Sequence, residues 1–156
     1  WELTDAKARA LLEPNLHGVI GTVAAILPAL LAQGHGTIGI VSSVAGYGGL
    51  PKALVYGASK AALINFAETL YLDLAPRGLG VALINPGFVR TPLTDRNAFP
   101  MPYLISADEA ATEIVAGLER GDFEIHFPRA FSRRLKLLRL LPYRWYFAIV
   151  RKATGV

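Results

Sequence analysis

The sequence predicts an α/β fold built on a parallel sheet, and three observations carry that expectation. Helical and extended patterns alternate along the chain with short connections, the rhythm of parallel strands joined by crossover helices. The segments Thr37–Ser43 and Gly80–Asn85 are apolar without alternation, as strands covered on both faces are. Both runs end in polar or turn-forming residues, where ligands collect beyond the carboxyl ends of strands in open α/β sheets.

The first helix starts at Thr4, a suitable N-cap, with Asp5 in its first turn. Its pattern continues to about Gln33 but is interrupted at Pro14 and Pro28. Pro14 removes a backbone hydrogen bond and predicts a bend just before Asn15. From Pro14 to Pro51 there is no Asp, Glu, Lys or Arg, so a membrane span has to be weighed against a buried helix. The uninterrupted piece from Gly18 to Ala32 is shorter than the roughly 20 residues a bilayer requires. The expectation is therefore a helix covered on two sides by protein.

After the turn Gly34-His35-Gly36 comes the strand 37–43, and a second helix runs from about Leu54 to Ala75, stopped by Pro76 and Gly78. The strand 80–85 follows. Residues 86–104 hold four prolines and no clear period, which predicts a long loop over the strand ends. Ser106-Ala-Asp-Glu109 is a capping box opening a helix to about Arg120. Gly121 stops that helix, and Phe123–Phe127 alternates as a third strand. No internal repeat or low-complexity segment occurs.

The 156 residues suffice for one domain with a real core, and 53% of them are apolar, which suits a chain that leaves surface for a partner segment to cover. With no Cys there is no disulfide, thiolate metal site or Cys nucleophile, in keeping with a reducing compartment, and the expected location is cytoplasmic. The three His residues are scattered without partners at ligand spacing, so no metal site is expected. Trp1 opens the chain with neither a basic n-region nor an apolar h-region, and the start reads as a cut within a longer sequence.

The net charge of +4 hides an asymmetry. Residues 1–128 carry eight Lys and Arg against twelve Asp and Glu, whereas residues 129–156 carry eight basic residues and no acid. The basic balance belongs to the tail, and no nucleic-acid partner is expected. From Arg129 to Lys152 the basic residues alternate with Leu, Trp, Tyr and Phe. Such a segment either packs on the body as a helical pair with its basic face in water, or lies on an anionic membrane surface.

The chemistry concentrates between Ser43 and Lys60. Tyr56 and Lys60 are four residues apart, hence one turn apart on one helix face. A fixed ammonium favours the phenolate and makes a tyrosine a usable proton donor or acceptor near neutral pH. Ser43 reaches the same region from a strand end and could hold the oxygen whose proton is moved. The bland reading of the Tyr–Lys pair alone is an amphipathic helix with a half-buried Tyr and a solvated Lys.

Three segments, Ile40-Val-Ser-Ser-Val-Ala-Gly46, Tyr56-Gly-Ala-Ser-Lys-Ala-Ala62 and Asn85-Pro-Gly-Phe-Val-Arg-Thr91, resemble the second half of a single-domain short-chain dehydrogenase/reductase. The similarity runs from about Trp1 to Pro128. It implies a Rossmann-like, doubly wound parallel sheet of which only the second half is present. Residues 1–128 would then be the second half of the dehydrogenase domain, with 129–156 as a basic amphipathic helical tail. The family's glycine-rich pyrophosphate turn and its Asn-Asn-Ala-Gly segment do not occur, so the N-terminal cofactor-binding half is missing. Part of a longer protein is expected rather than a truncated product.

By the same resemblance, Tyr56 is the general acid/base, Lys60 lowers its pKa and bonds the nicotinamide ribose, and Ser43 orients the substrate oxygen. Ser42 should point to the other face of its strand. Asn15 matches the helix asparagine of a water-mediated proton relay; its alternative reading is a buried Asn satisfying local backbone. Pro86 and Gly87 would turn the chain beneath the nicotinamide, with Val89 and Thr91 at the carboxamide. The cofactor implied is NAD or NADP, and the substrate an alcohol or its ketone or aldehyde, lipophilic in view of the tail and the loop 92–105. Helices 5–33 and 54–75 would pair across a two-fold axis in a homodimer or homotetramer. The rivals are a catalytically silent scaffold, a nucleotide-sugar epimerase or dehydratase, and a peripheral membrane protein acting through its tail.

Overall fold

The computed structural model describes residues 3–92, 94–96 and 101–155. Trp1, Glu2, Leu93, residues 97–100 and Val156 lie outside the described residues, so part of the expected loop 86–104 is not covered. Helix α1 (Asp5–Leu12) is capped by the Thr4 hydroxyl, which accepts from the Lys7 amide at 3.2 Å. It passes through a π-helical turn (Glu13–His17) into α2 (Gly18–Gln33). The expected break at Pro14 is thus an extra residue taken into a continuing helix, and Pro28 does not end it either. The chain stays helical through the π-turn, in which the amide that proline lacks is not missed.

Because the helix continues, the length argument against a membrane span falls: Asp5–Gln33 is long and apolar enough to cross a bilayer by length and composition. The expectation of cover on two sides is also corrected, since only Val23 of α2 is buried. Leu16, Val19, Val23, Leu27 and Leu30 form one narrow stripe that docks on the core, while Ile20, Ile26 and Leu31 stand exposed. Nothing among the described residues covers that second side.

Gly34 closes α2 in the left-handed region and turns the chain into β1 (Gly36–Val41). Helix α3 (Leu54–Leu74), β2 (Leu79–Pro86), α4 (Ala107–Arg120) and β3 (Glu124–Phe127) follow. The strands pair in parallel in the order β1-β2-β3. The side chains of β2 alternate between faces: Val81 and Leu83 cluster with Val23 of α2, Ile38 and Ile40 of β1, and Leu63 and Ala67 of α3. Ala82 and Ile84 meet Ala110 of α4 together with Ile125 and Phe127. Helices therefore lie on both faces of β2, as its unbroken apolar run requires.

Strand β1 is shorter than expected and covered on one face only. Ile38 and Ile40 are buried, but Thr37, Gly39 and Val41 are exposed. The expected capping box at α4 is present, with the Ser106 hydroxyl accepting from the Glu109 amide at 3.1 Å and the Glu109 carboxylate accepting from the Ser106 amide at 2.7 Å. The tail folds as α5 (Arg129–Arg139) and α6 (Tyr143–Thr154), the helical pair of the bland reading. It packs on the body through Ser132, Tyr146 and Val150, which are buried.

Candidate active site

The carboxyl ends of β1 and β2 bring the sequence motifs together. Ser43 caps a short 3₁₀ turn (Val44–Gly46): its hydroxyl accepts from the Ala45 amide at 3.1 Å and donates to the Pro86 carbonyl at 3.4 Å. Ser42 points elsewhere and donates to the Lys60 carbonyl at 2.8 Å, so the strand end is fastened directly to the turn of α3 that carries Lys60. Gly46 seals this junction. A Cβ there would sit 2.7 Å from the Lys60 carbonyl carbon and 2.9 Å from the Ala61 amide, closer than any side chain allows.

Lys60 is not the solvated lysine of the bland reading. Its residue is 8% exposed, and its ammonium donates to the Val41 carbonyl at 3.0 Å. Burial holds its pKa below the usual lysine range. The ammonium lies 5.7 Å from the centroid of the Tyr56 ring. Tyr56 is 37% exposed, and among the described residues no hydrogen bond joins its hydroxyl to Ser43 or Lys60. Asn15 is half-buried in the π-turn of the first helix, a turn that touches α3, but it makes no hydrogen bond to Ser43, Tyr56 or Lys60.

Among the expected cofactor contacts, Pro86 ends β2 at the site and accepts the Ser43 bond. Gly87 donates to the Phe127 carbonyl at 2.7 Å, and a Cβ there would meet Pro128, Phe127 and Phe131 at 3.1–3.2 Å. Packing against the start of the tail therefore already accounts for a glycine at this position. Val89 is bridged to Ile105, and the Thr91 amide donates to the Thr94 hydroxyl at 2.9 Å, which fastens the loop back on itself. Among the described residues one of the ammonium's three donors has a protein acceptor, which fits a ribose diol; the glycine-rich pyrophosphate turn does not occur in this sequence.

Sequence reasoning missed a second polar cluster beside the site. Glu124 of β3 accepts from the Tyr47 hydroxyl at 2.7 Å, from the Asn85 side-chain amide at 2.9 Å and from the Lys136 ammonium of α5. Burial pushes the Glu124 carboxyl up, but the bonds from Lys136, Tyr47 and Asn85 outweigh it and hold its pKa below the usual carboxylate range. Burial and the Glu124 bond push the Tyr47 phenol well up. Asn85 is fully buried, and its side-chain oxygen has no hydrogen-bond partner. The Tyr146 hydroxyl of α6 also donates to the Gly49 carbonyl at 2.9 Å, so both tail helices grip the loop that follows Ser43. The available signals were a lone acid within an apolar strand and a Tyr inside a Gly-rich loop.

Two open cavities flank this loop. One of about 700 Å³ lies between α1 and residues 50–55, and one of about 600 Å³ lies under α6, walled by Gly48, Leu50, Leu54, Tyr143 and Phe147. Ser43, Tyr56 and Lys60 line neither of them.

The chain is thus an α/β protein with a parallel sheet, a serine at one strand end and a Tyr–Lys pair on the helix packed behind it. The family model described as short chain dehydrogenase matches residues 1–99, and the chain belongs to that family. An uncharacterized oxidoreductase of Myxococcus xanthus is 36% identical over 152 residues, which are 97% of this chain and 58% of that protein. A 3-oxoacyl-[acyl-carrier-protein] reductase of Thermotoga maritima is 38% identical over 87 residues, 56% of this chain and 35% of the relative. Among solved structures, a short chain dehydrogenase from Burkholderia cenocepacia in complex with NADP is 30% identical with a TM-score of 0.82, covering 96% of this chain and 61% of that one. One from Burkholderia phymatum in complex with NAD is 26% identical with a TM-score of 0.77, covering 88% and 59%. The chain thus spans less than two thirds of these relatives. The likeness to the Myxococcus protein reaches beyond Pro128 into the tail.

Proposed function

We propose that this chain is the second, catalytic-motif half of an NAD(P)-dependent oxidoreductase that interconverts an alcohol and its ketone or aldehyde. The observation that carries the reading is the buried Lys60 ammonium beside the Tyr56 ring, on a helix bonded to the strand end that carries Ser43. The cofactor would supply the hydride, and this chain the positioning and the proton. Ser43 holds the substrate oxygen by its hydroxyl. In reduction the Tyr56 hydroxyl gives that oxygen its proton, and in oxidation the phenolate takes it. The Lys60 ammonium stabilises the phenolate and would hold the nicotinamide ribose, while Asn15 would return the proton through a water relay. Pro86, Gly87, Val89 and Thr91 are the residues that would hold the nicotinamide. A lipophilic substrate is the reading that the apolar residues of the tail, packed beside the site loop, support.

The test uses the full-length protein. Its fluorescence should change on titration with NADH or NADPH, and it should turn over members of an alcohol and ketone panel. Tyr56→Phe should retain cofactor binding and lose turnover by about a thousandfold, within the range for removal of a general acid with its substrate-oxygen bond. A protein that binds neither cofactor and turns over nothing is the silent scaffold instead.

A further inference from the structure

The two tail helices have an inner face, which grips the site loop, and an outer face that the oxidoreductase reading does not use. Helix α6 buries only Tyr146 and Val150. Its Trp145 and Ile149, one turn apart, are 52% and 40% exposed, and Leu137 and Leu140 from the end of α5 are 64% and 80% exposed. These side chains are too large and too many to be incidental surface on two short helices. The surrounding charge has one sign: residues 129–156 hold eight Lys and Arg and no acid. The Arg144 guanidinium lies 4.9 Å from the Trp145 ring, so cation and aromatic ring are presented together.

We infer that the outer face of α5 and α6 is a docking surface for an anionic lipid bilayer. Leu and Trp enter the region between headgroups and acyl chains, and flanking arginines meet lipid phosphates while their stems stay on the apolar side. The absence of acidic residues matches a partner of uniform negative charge, which a protein surface of mixed charge would not demand. Among the described residues nothing covers this face, and the tail follows β3, an edge strand of the sheet. Docking there would hold the loop gripped by Lys136 and Tyr146 close to the bilayer. The inference does not depend on the Tyr56 chemistry.

The experiment is flotation of the full-length protein with vesicles of phosphatidylcholine alone or mixed with phosphatidylglycerol. Binding should appear with the mixed vesicles, weaken in high salt, and fall by at least about tenfold in Leu140→Glu/Trp145→Glu and in Arg144→Glu/Arg151→Glu, since each cation near such a surface is worth about 1 kcal/mol. All these positions are exposed, so circular dichroism and melting should match the wild type. A wild type that fails to float with the mixed vesicles overturns the inference, as does full retention of binding by both double variants. Loss of self-association in Leu140→Glu/Trp145→Glu, with no vesicle binding by the wild type, would assign the face to a second copy instead.

Discussion

At the scale of single residues, Lys60 sets function against stability. A cation that is 8% exposed with one carbonyl partner is costly to bury. With its folded pKa depressed, the unfolded chain binds the proton more tightly, so stability should rise with pH from the folded value up to the ordinary lysine range. Lys60→Met should flatten that rise and match or exceed wild-type stability by about 1 kcal/mol at neutral pH, while turnover is lost. Denaturant melts at several pH values check this; a large destabilisation would show that the ammonium is better paired than its single bond indicates. Glu124 behaves oppositely. Its depressed pKa gives stability that is present above the ordinary carboxylate range and lost as pH falls through the folded value. Glu124→Gln should remove that acid-side loss, and Tyr47→Phe should cost about 1–2 kcal/mol by deleting a half-buried bond.

At the scale of elements, the site depends on how closely β1 and α3 approach. Gly46→Ala should destabilise by about 1–3 kcal/mol, because the clash is with backbone and cannot be relieved by a rotamer change. Turnover should fall beyond what the lost stability explains, since Ser43 and Lys60 are fastened through this junction. Much of this was legible beforehand. The apolar run of β2, the capping box of α4 and the Tyr56–Lys60 spacing follow from period and cap chemistry alone. The course of the first helix was not, because proline reads as a break in sequence and a π-turn is settled by how the helix docks through Leu16 and Val19. The Glu124 cluster was also hidden: Tyr47, Asn85, Glu124 and Lys136 come from four separate segments and meet only in three dimensions.

For the whole molecule, the uncovered side of α2 bears on assembly. On the proposed two-fold pairing of the long helices, Ile26→Glu should convert a dimer or tetramer to a monomer in light scattering with an unchanged circular dichroism spectrum. A wild type that stays monomeric at high concentration removes that pairing. The sheet has a comparable unfinished side. The Ser42 amide donates to Ile84 of β2, so by alternation the amides of Thr37, Gly39 and Val41 turn away from it. Deuterium should enter those three positions rapidly in this chain and slowly in a longer protein that lays another strand alongside. The carbonyl of Val41 lies on that same side and already receives the Lys60 ammonium. Whatever strand docks there must therefore share its last acceptor with the lysine on which the proposed proton chemistry depends, and completing the sheet would tune that lysine's position.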